Sequence, residues 1–358
     1  MSFEVFKIKE LCQFKYGKSL PERERISGDY PVFGSAGIVG THNEYLLKAP
    51  GIIVGRKGTV GSVNWTNKNF FPIDTAFYIV EDKAKVDLKF LYYRLLLAGL
   101  ETMNNDAAVP GLNRTAALNH RITVPTDITT QIKIASLLST YDDLIETNFQ
   151  KINLLEETAQ ITFNEWFLKE KSLHNGLAKK ILKDVAAITM GQSPESKYYN
   201  EEKIGIPFHQ GVTGYGFRFP ENETWSSEGT RVAVKGDILF SVRAPVGRLN
   251  IAIEKIILGR GLGAFRHKKG WNSFLYYQLR KLFFKEDLMG GGAIFSSVTK
   301  TDVEKIKIVE ADEKSMIKFN DFAKPIDNLI ENLTHQNRLL KEARDILLPR
   351  LMTGMIEV

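Results

Sequence analysis

Any chemistry in this chain would have to come from cations set in segments punctuated by glycine, proline or serine. Arg56, Lys57 and Arg114 stand in such segments in the first half, and Arg243, Arg248 and Lys300 in the second. Segments of this kind can bring a cation to a phosphate oxygen or to the acceptor edge of guanine. Polar neighbours are Thr59 and Asn113, then His209, Gln210, Ser296 and Ser297. These could hydrogen-bond base edges, with the amide side chains suited to adenine. For any one of them, an ordinary solvated turn residue is the competing account.

Catalytic readings of the same sequence fail on spacing. Gly17-Lys18-Ser19 has the ending of a phosphate-binding loop, but Cys12 stands where that motif needs a glycine. A turn accounts for it better. Gly259-Arg260-Gly261-Leu262-Gly263 lies between strand-like runs with no helix opening after it, so turn glycines explain it better than a nucleotide loop. Pro72, Asp74, Glu81 and Lys83 loosely follow a nuclease's metal-binding carboxylates and lysine, yet Asp74 and Glu81 are expected in a surface hairpin. The histidines at 42, 120, 174, 209, 267 and 335 include no pair at metal-ligand spacing. There is no doubled-proline catalytic motif of an amino-methyltransferase. The expectation is a chain with no catalytic residues, no metal site and no cofactor of its own.

Composition agrees with a globular protein. The chain has 358 residues, 43% hydrophobic and 25% charged, enough for two domains or more. Its net charge of +6 admits a polyanionic partner without requiring one. A single cysteine, Cys12, excludes an internal disulfide. Met1-Ser2-Phe3-Glu4 lacks the basic and apolar regions of a signal peptide, and Arg94 breaks the apolar run around Leu91 to Leu100. A cytoplasmic protein without a membrane span is expected.

Two long helices must position the candidate loops. Leu138, Tyr141, Ile145, Ile152, Leu155, Ala159 and Trp166 recur at alternating three- and four-residue spacing, the mark of one helix stripe. The stripe returns as Ala323, Ile326, Ile330, Leu333, Leu340, Leu347 and Leu351, about 185 residues later. Thr129 or Thr130 is expected to cap the first helix, and Pro325 fits the first turn of the second. A break is expected near His174-Asn175-Gly176. The duplication extends into the blocks before each helix: Phe90-Leu91-Tyr92-Tyr93 matches Phe274-Leu275-Tyr276-Tyr277, and Gly17-Lys18-Ser19 matches Gly191-Gln192-Ser193. Short β-type runs between glycines and prolines fill both blocks. Pro21 to Asn43 and Pro194 to Trp225 do not match at all, so two like domains carry unlike loops. The fold class expected is α+β, with two tandem domains of mixed α/β structure, each followed by a long helix. Short connections would pair the helices as an antiparallel coiled coil with pseudo-two-fold symmetry. The expected divisions are residues 1–125, helix 126–172, residues 173–313 and helix 314–358.

At these residues the chain resembles the specificity (S) subunit of type I restriction-modification enzymes. Gln131, Ile134, Leu138, Asp142 and Ile145 stand at the spacing of that family's central helix, and Gln160, Phe163, Trp166 and Phe167 match its end. Leu347-Leu348-Pro349-Arg350-Leu351-Met352-Thr353-Gly354 is close to the family's C-terminal ending. Val54-Gly55-Arg56-Lys57-Gly58-Thr59-Val60-Gly61 and Val109-Pro110-Gly111-Leu112-Asn113-Arg114 resemble its first target-recognition domain. Gly236-Asp237-Ile238-Leu239-Phe240-Ser241-Val242-Arg243-Ala244-Pro245-Val246-Gly247 resembles the second. Met316 departs from the family, replacing the glutamine expected before the second helix, and so does Met355, where a glutamate is common.

The resemblance implies a non-catalytic subunit that binds a bipartite double-stranded DNA target, one half-site per domain. Its implied partners are two methylation (M) subunits carrying S-adenosylmethionine and restriction (R) motor-nuclease subunits using ATP and magnesium. The apolar stripe is too wide for a two-helix seam, so Leu144, Leu154, Phe163, Trp166 and Phe167 are expected to bind a partner. The competing functions are a single-chain DNA-modifying enzyme and a coiled-coil scaffold that does not bind DNA.

Overall fold

In the computed structural model, which describes residues 2–103, 111–168, 178–283 and 297–358, the short β-type runs of each half form small sheets. The chain divides into two units, Met1–Thr147 with Asn337–Val358, and Asn148–Gln336. Each unit therefore combines one sheet-bearing block with part of each long helix.

The first unit is built on the antiparallel order Cys12–Tyr16, Ala76–Glu81, Gly51–Gly55, Val63–Thr66. Gly51–Gly55 is buried along its whole length, as a strand covered on both faces must be. Ile52 and Val54 share a core with Phe90 and Leu91 of the helix Leu88–Leu96, while Ile53 shares another with Phe33 and Phe70. A smaller sheet orders Gly37–His42, Tyr30–Gly34 and Phe71–Pro72, the last pair parallel. Phe3–Lys7 pairs antiparallel with Arg121–Pro125, just before the first long helix.

The second unit repeats this plan. Its main sheet orders Ala186–Met190, Leu262–His267, Ile238–Ser241 and Leu249–Ile251, again with a central strand, Ile238–Ser241, fully buried. Ile206–His209 pairs parallel with Ile256–Leu258, and Ala178–Ile181 pairs antiparallel with Lys307–Glu310. Matching hydrogen bonds show how far the repeat goes. Arg94 Nε donates to the Thr123 carbonyl at 3.0 Å, and Gln278 Nε2, at the same place after the repeated aromatic string, donates to the Val309 carbonyl at 2.8 Å. The repeated glycine of the turn also has a physical reason. A Cβ on Gly17 would lie 2.1 Å from the Ile73 carbonyl oxygen, and one on Gly191 would lie 2.1 Å from that of Gly259. Only glycine allows the two backbones to approach so closely.

The long helices run Ile128–Phe167 and Glu313–Met352. Asp127, not a threonine, caps the first: its carboxylate accepts the N–H groups of Thr129 at 3.2 Å and Thr130 at 2.9 Å. Asp312 caps the second by accepting the Ser315 N–H at 3.0 Å. Pro325 therefore lies well inside the second helix rather than in its first turn. Gln131 is fully buried and ties the first helix down, donating to the Lys85 and Pro125 carbonyls and accepting the Asp87 N–H. Met316, at the matching place, fills the space with a fully buried apolar side chain instead.

Within each unit the helix segments pair antiparallel. In the first, Asn337 donates to the Ile145 carbonyl at 3.2 Å, while Arg344 reaches Asp142 at 2.6 Å, and Ile134 and Leu138 share a core with Leu348 and Leu351. In the second, Ile152 packs with Ile330 and Leu333, and the Phe163 ring meets Phe319 at 5.6 Å. The expected linker at His174-Asn175-Gly176 lies outside the described residues.

Candidate nucleic-acid interface

The candidate loop of the first unit leaves the buried strand Gly51–Gly55 and turns back at once. Gly55 N–H donates to the Ser62 carbonyl and Gly61 N–H to the Gly55 carbonyl, both at 2.8 Å. Gly61 has φ +74°, and a Cβ there would sit 2.3 Å from the Glu101 nitrogen, so this turn requires glycine. Lys57 then bridges antiparallel to Gly111, and Leu112 N–H donates to the Arg56 carbonyl at 2.8 Å. That pairing delivers Asn113 and Arg114 beside Arg56 and Lys57. The guanidinium carbons of Arg56 and Arg114 lie 4.9 and 5.5 Å from the centre of the Tyr16 ring, which is 51% exposed. Lys57 and Thr59 are exposed.

Asn113 has another task. Its Oδ1 accepts the Ala116 N–H at 3.0 Å, capping the helix Arg114–Asn119, so its acceptor is already engaged by backbone. Tyr16 was not legible in the sequence, since a tyrosine ending an amphipathic strand gives no signal of its own.

The second unit builds the same loop with other side chains. Ser241 N–H donates to the Arg248 carbonyl at 3.0 Å, and Gly247 N–H to the Ser241 carbonyl at 3.1 Å. Arg243 bridges antiparallel to Ser297, and Val298 N–H donates to the Val242 carbonyl at 2.9 Å. Thr299 caps the helix Lys300–Glu304. Residue by residue, Arg243 takes the place of Lys57 and Lys300 that of Arg114. Arg243, Ser297 and Lys300 are exposed and come together, with Lys300 also 3.7 Å from Glu304. Ser296 lies outside the described residues, as do Val109 and Pro110.

Two further side chains go elsewhere. His209 is 4% exposed and its Nε2 is paired with Asn222 Oδ1 at 2.9 Å, so it cannot reach a base. It ends the strand Ile206–His209, whose last three residues are buried, and a histidine there must be satisfied internally. Arg248 lines a cavity of about 430 Å³ with Gln160 and Arg280, apart from the Arg243 group. Gln210 is exposed, as expected, and accepts the Ser193 hydroxyl at 2.6 Å.

The expected partner-binding residues also divide. Phe163 and Phe167 are 0% and 2% exposed, packed against Phe274 and Phe319, so they belong to the core of the second unit and not to a docking face. The width of the stripe is absorbed by the helix Asn272–Leu282. Trp166 is half-buried against Phe319 and Phe322. Leu144 and Leu154 remain 47% and 63% exposed. Among the described residues no group of three or more histidine, cysteine, aspartate or glutamate side chains could hold a metal, and no helix is long and apolar enough to cross a membrane.

The family model for the type I restriction modification DNA specificity domain matches this chain twice, at residues 2–157 and 176–332. The type I restriction enzyme MjaVIII specificity subunit of Methanocaldococcus jannaschii is 24% identical over 400 aligned positions, which cover 99% of this chain and 93% of that one. The MjaX specificity subunit named in the same organism is 32% identical over 263 positions, covering 69% of this chain and 62% of its own length. The chain thus spans less than two thirds of that relative. Among solved structures, the type I restriction-modification S subunit from M. genitalium superposes with a TM-score of 0.65 at 19% identity, covering 98% of this chain and 96% of that one. At that identity the likeness concerns the fold.

Proposed function

The chain belongs to the type I restriction-modification DNA specificity family, as a specificity subunit with two recognition domains, and from that we propose that it reads a bipartite duplex DNA target with one half-site per unit. The observation that carries this reading is the duplicated cation loop: Arg56, Lys57 and Arg114 on one backbone, Arg243, Ser297 and Lys300 on its repeat. A shared backbone keeps the way of approaching DNA the same, while unlike side chains change what is read. Methyl transfer with S-adenosylmethionine, and ATP- and magnesium-dependent work on DNA, would then fall to methylation and restriction subunits bound to this chain. The exposed apolar side chains Leu144 and Leu154 suit such docking.

The test is a block exchange. Because Ala178–Ile181 pairs with Lys307–Glu310, cutting at residues 178 and 310 moves both partners of that strand pair together. Replacing this block by the matching one from a relative should change one half of the methylated motif and leave the other unaltered. A change in both halves would overturn independent reading.

A further inference from the structure

The repeat of the two units is close enough to compare single positions, and at one of them the charge reverses. In the first unit Ile73 N–H donates to the Phe33 carbonyl at 2.8 Å, Ala76 N–H to the Ile73 carbonyl at 3.0 Å and Arg56 N–H to the Thr75 carbonyl at 2.9 Å. In the second, Gly259 N–H donates to the His209 carbonyl at 2.8 Å, Leu262 N–H to the Gly259 carbonyl at 3.0 Å and Val242 N–H to the Gly261 carbonyl at 2.9 Å. Residues 73 and 75 therefore correspond to 259 and 261, and Asp74 stands where the second unit has Arg260. A carboxylate can only accept hydrogen bonds and a guanidinium can only donate them.

The surroundings of Arg260 fix it in place without neutralising it. The Gly259 and Gly261 N–H groups donate to the His209 and Gln210 carbonyls at 2.8 and 2.9 Å. A Cβ on Gly259 would lie 2.5 Å from Gln210 Cα, and one on Gly261 would lie 2.6 Å from the Gln210 carbonyl oxygen. Both glycines are needed for the turn to press against Gln210, and Arg260 occupies its crest. The Ser193 hydroxyl completes the corner, donating to Gln210 Oε1 at 2.6 Å and accepting the Arg260 N–H at 3.2 Å. With Oε1 held by Ser193, the Gln210 amide is left to present its N–H donors. The exposed Arg260 side chain makes no hydrogen bond or ion pair among the described residues, whereas Arg266 is bound to Asp237 and Arg280 to Glu156. The corner opens on a cleft of about 770 Å³ walled by Tyr199 and Phe208.

We propose that Arg260, steadied beside Gln210, is the guanine-reading side chain of the second unit, and that its replacement by Asp74 in the first is one source of the difference between the half-sites. Guanine offers two acceptors, O6 and N7, in the major groove, which match the paired donors of a guanidinium, while adenine offers a donor at N6. This rests on the proposed DNA-reading function and names a residue for it.

The test is selection of bound sequences from a random duplex DNA pool by the full chain, wild type against Arg260→Ala and Arg260→Lys. Wild type should enrich a bipartite site with guanine at a position of one half. Arg260→Ala should lower the preference for that guanine about tenfold or more and leave the rest of the site unchanged. Arg260→Lys should do the same, since it keeps the charge but not the fork of donors. If Arg260→Ala weakened all sequences equally, or left both half-sites as they were, the base-reading role would be overturned with the bipartite function intact. If wild type itself selected no bipartite site, the DNA-reading function would be what failed.

Discussion

The Arg218 guanidinium lies against the Asp327 carboxylate with none of its side chain exposed. Arg218 comes from the loop between Ile206–His209 and Trp225–Ser226, and Asp327 from the second long helix. Tyr277 donates to Asp327 at 2.9 Å, and Glu156, from the first long helix, lies 3.6 Å from the same guanidinium. Arg218 Nε has no partner among the described residues, but the guanidinium lies 4.4 Å from the Tyr276 ring centre. Burial would lower this group's pKa, and the surrounding tyrosines and carboxylates more than reverse that. Replacing Arg218 by Met would leave Asp327 without a cation and Glu156 with Arg280 alone, and should cost the second unit about 3–5 kcal/mol. The first unit has the corresponding Tyr93–Asp142 contact, with Arg344 as the cation, but there both the guanidinium and the carboxylate are partly solvated. Arg344→Met should therefore cost clearly less. Denaturant titrations of the two variants check the order, and equal losses would contradict it.

Stability should also fall in mild acid through His267. Its Nδ1 accepts the Lys269 N–H at 3.1 Å, its ring packs on Trp271, and it is 3% exposed. Burial lowers its pKa below the usual 6.5; Glu310, at 4.0 Å, opposes the shift without cancelling it, and Lys269 adds to it. A base with a depressed folded pKa gives stability that is full above pH 6.5 and is lost as pH falls through the folded value, because the unfolded chain takes up the proton first. The capping aspartates Asp127 and Asp312, and Asp302, whose carboxylate accepts the Thr299 N–H at 2.9 Å, are also shifted down and act only below about pH 4, in a separate window. Unfolding midpoints at pH 7.5 and 5.5 should differ for the wild type and converge for His267→Gln. An unchanged difference in the variant would assign the acid sensitivity elsewhere.

Docking of a methylation subunit should depend on Leu144 and Leu154 and not on the neighbouring phenylalanines. Leu144→Asp with Leu154→Asp alters only exposed apolar surface, so the melting temperature should hold while co-purification with that subunit is lost. Phe163→Ala empties a fully buried site lined by Phe274 and Phe319 and should cost about 3–5 kcal/mol. Retained complex formation by the double leucine variant would reject a docking role for these leucines.

The contrast between Leu154 and Phe163 shows what the sequence could carry. Periodicity located both helices and the excess width of their stripe, because spacing along a helix is a local property. What covers the excess is not local: Phe274, which does so, lies more than a hundred residues from Phe163. The duplication was legible from Phe-Leu-Tyr-Tyr and from Gly17 and Gly191, since core aromatics and close backbone approaches tolerate few alternatives. His209 looked available because one buried position at a strand end has no pattern. Arg260 was passed over because its glycines read as an ordinary turn, and its importance comes only from the strand pairing that sets it opposite Gln210.

The spacing of the half-sites should follow helix length. Each helix continues from one unit into the other, and within each unit its side chains are committed to a partner helix. Lengthening one helix alone would slide Ile152 away from Ile330 and Leu333. An insertion beyond Thr158 would instead displace the fully buried Ala159 and Phe163. The insertion therefore has to be made in both helices, four residues after Thr147 and four after Gln336, where the chain passes between units. Four residues are close to one turn, so each helix face returns to within about 40° of its direction, and they add about 6 Å of length. At about 3.4 Å per base pair, that approaches two base pairs. With methylation subunits bound, the double insertion should direct methylation to the same two half-sites separated by a longer non-specific spacer, read by sequencing methylated DNA. A variant that folds and still directs methylation only to the original spacing would show that the helices do not set the distance.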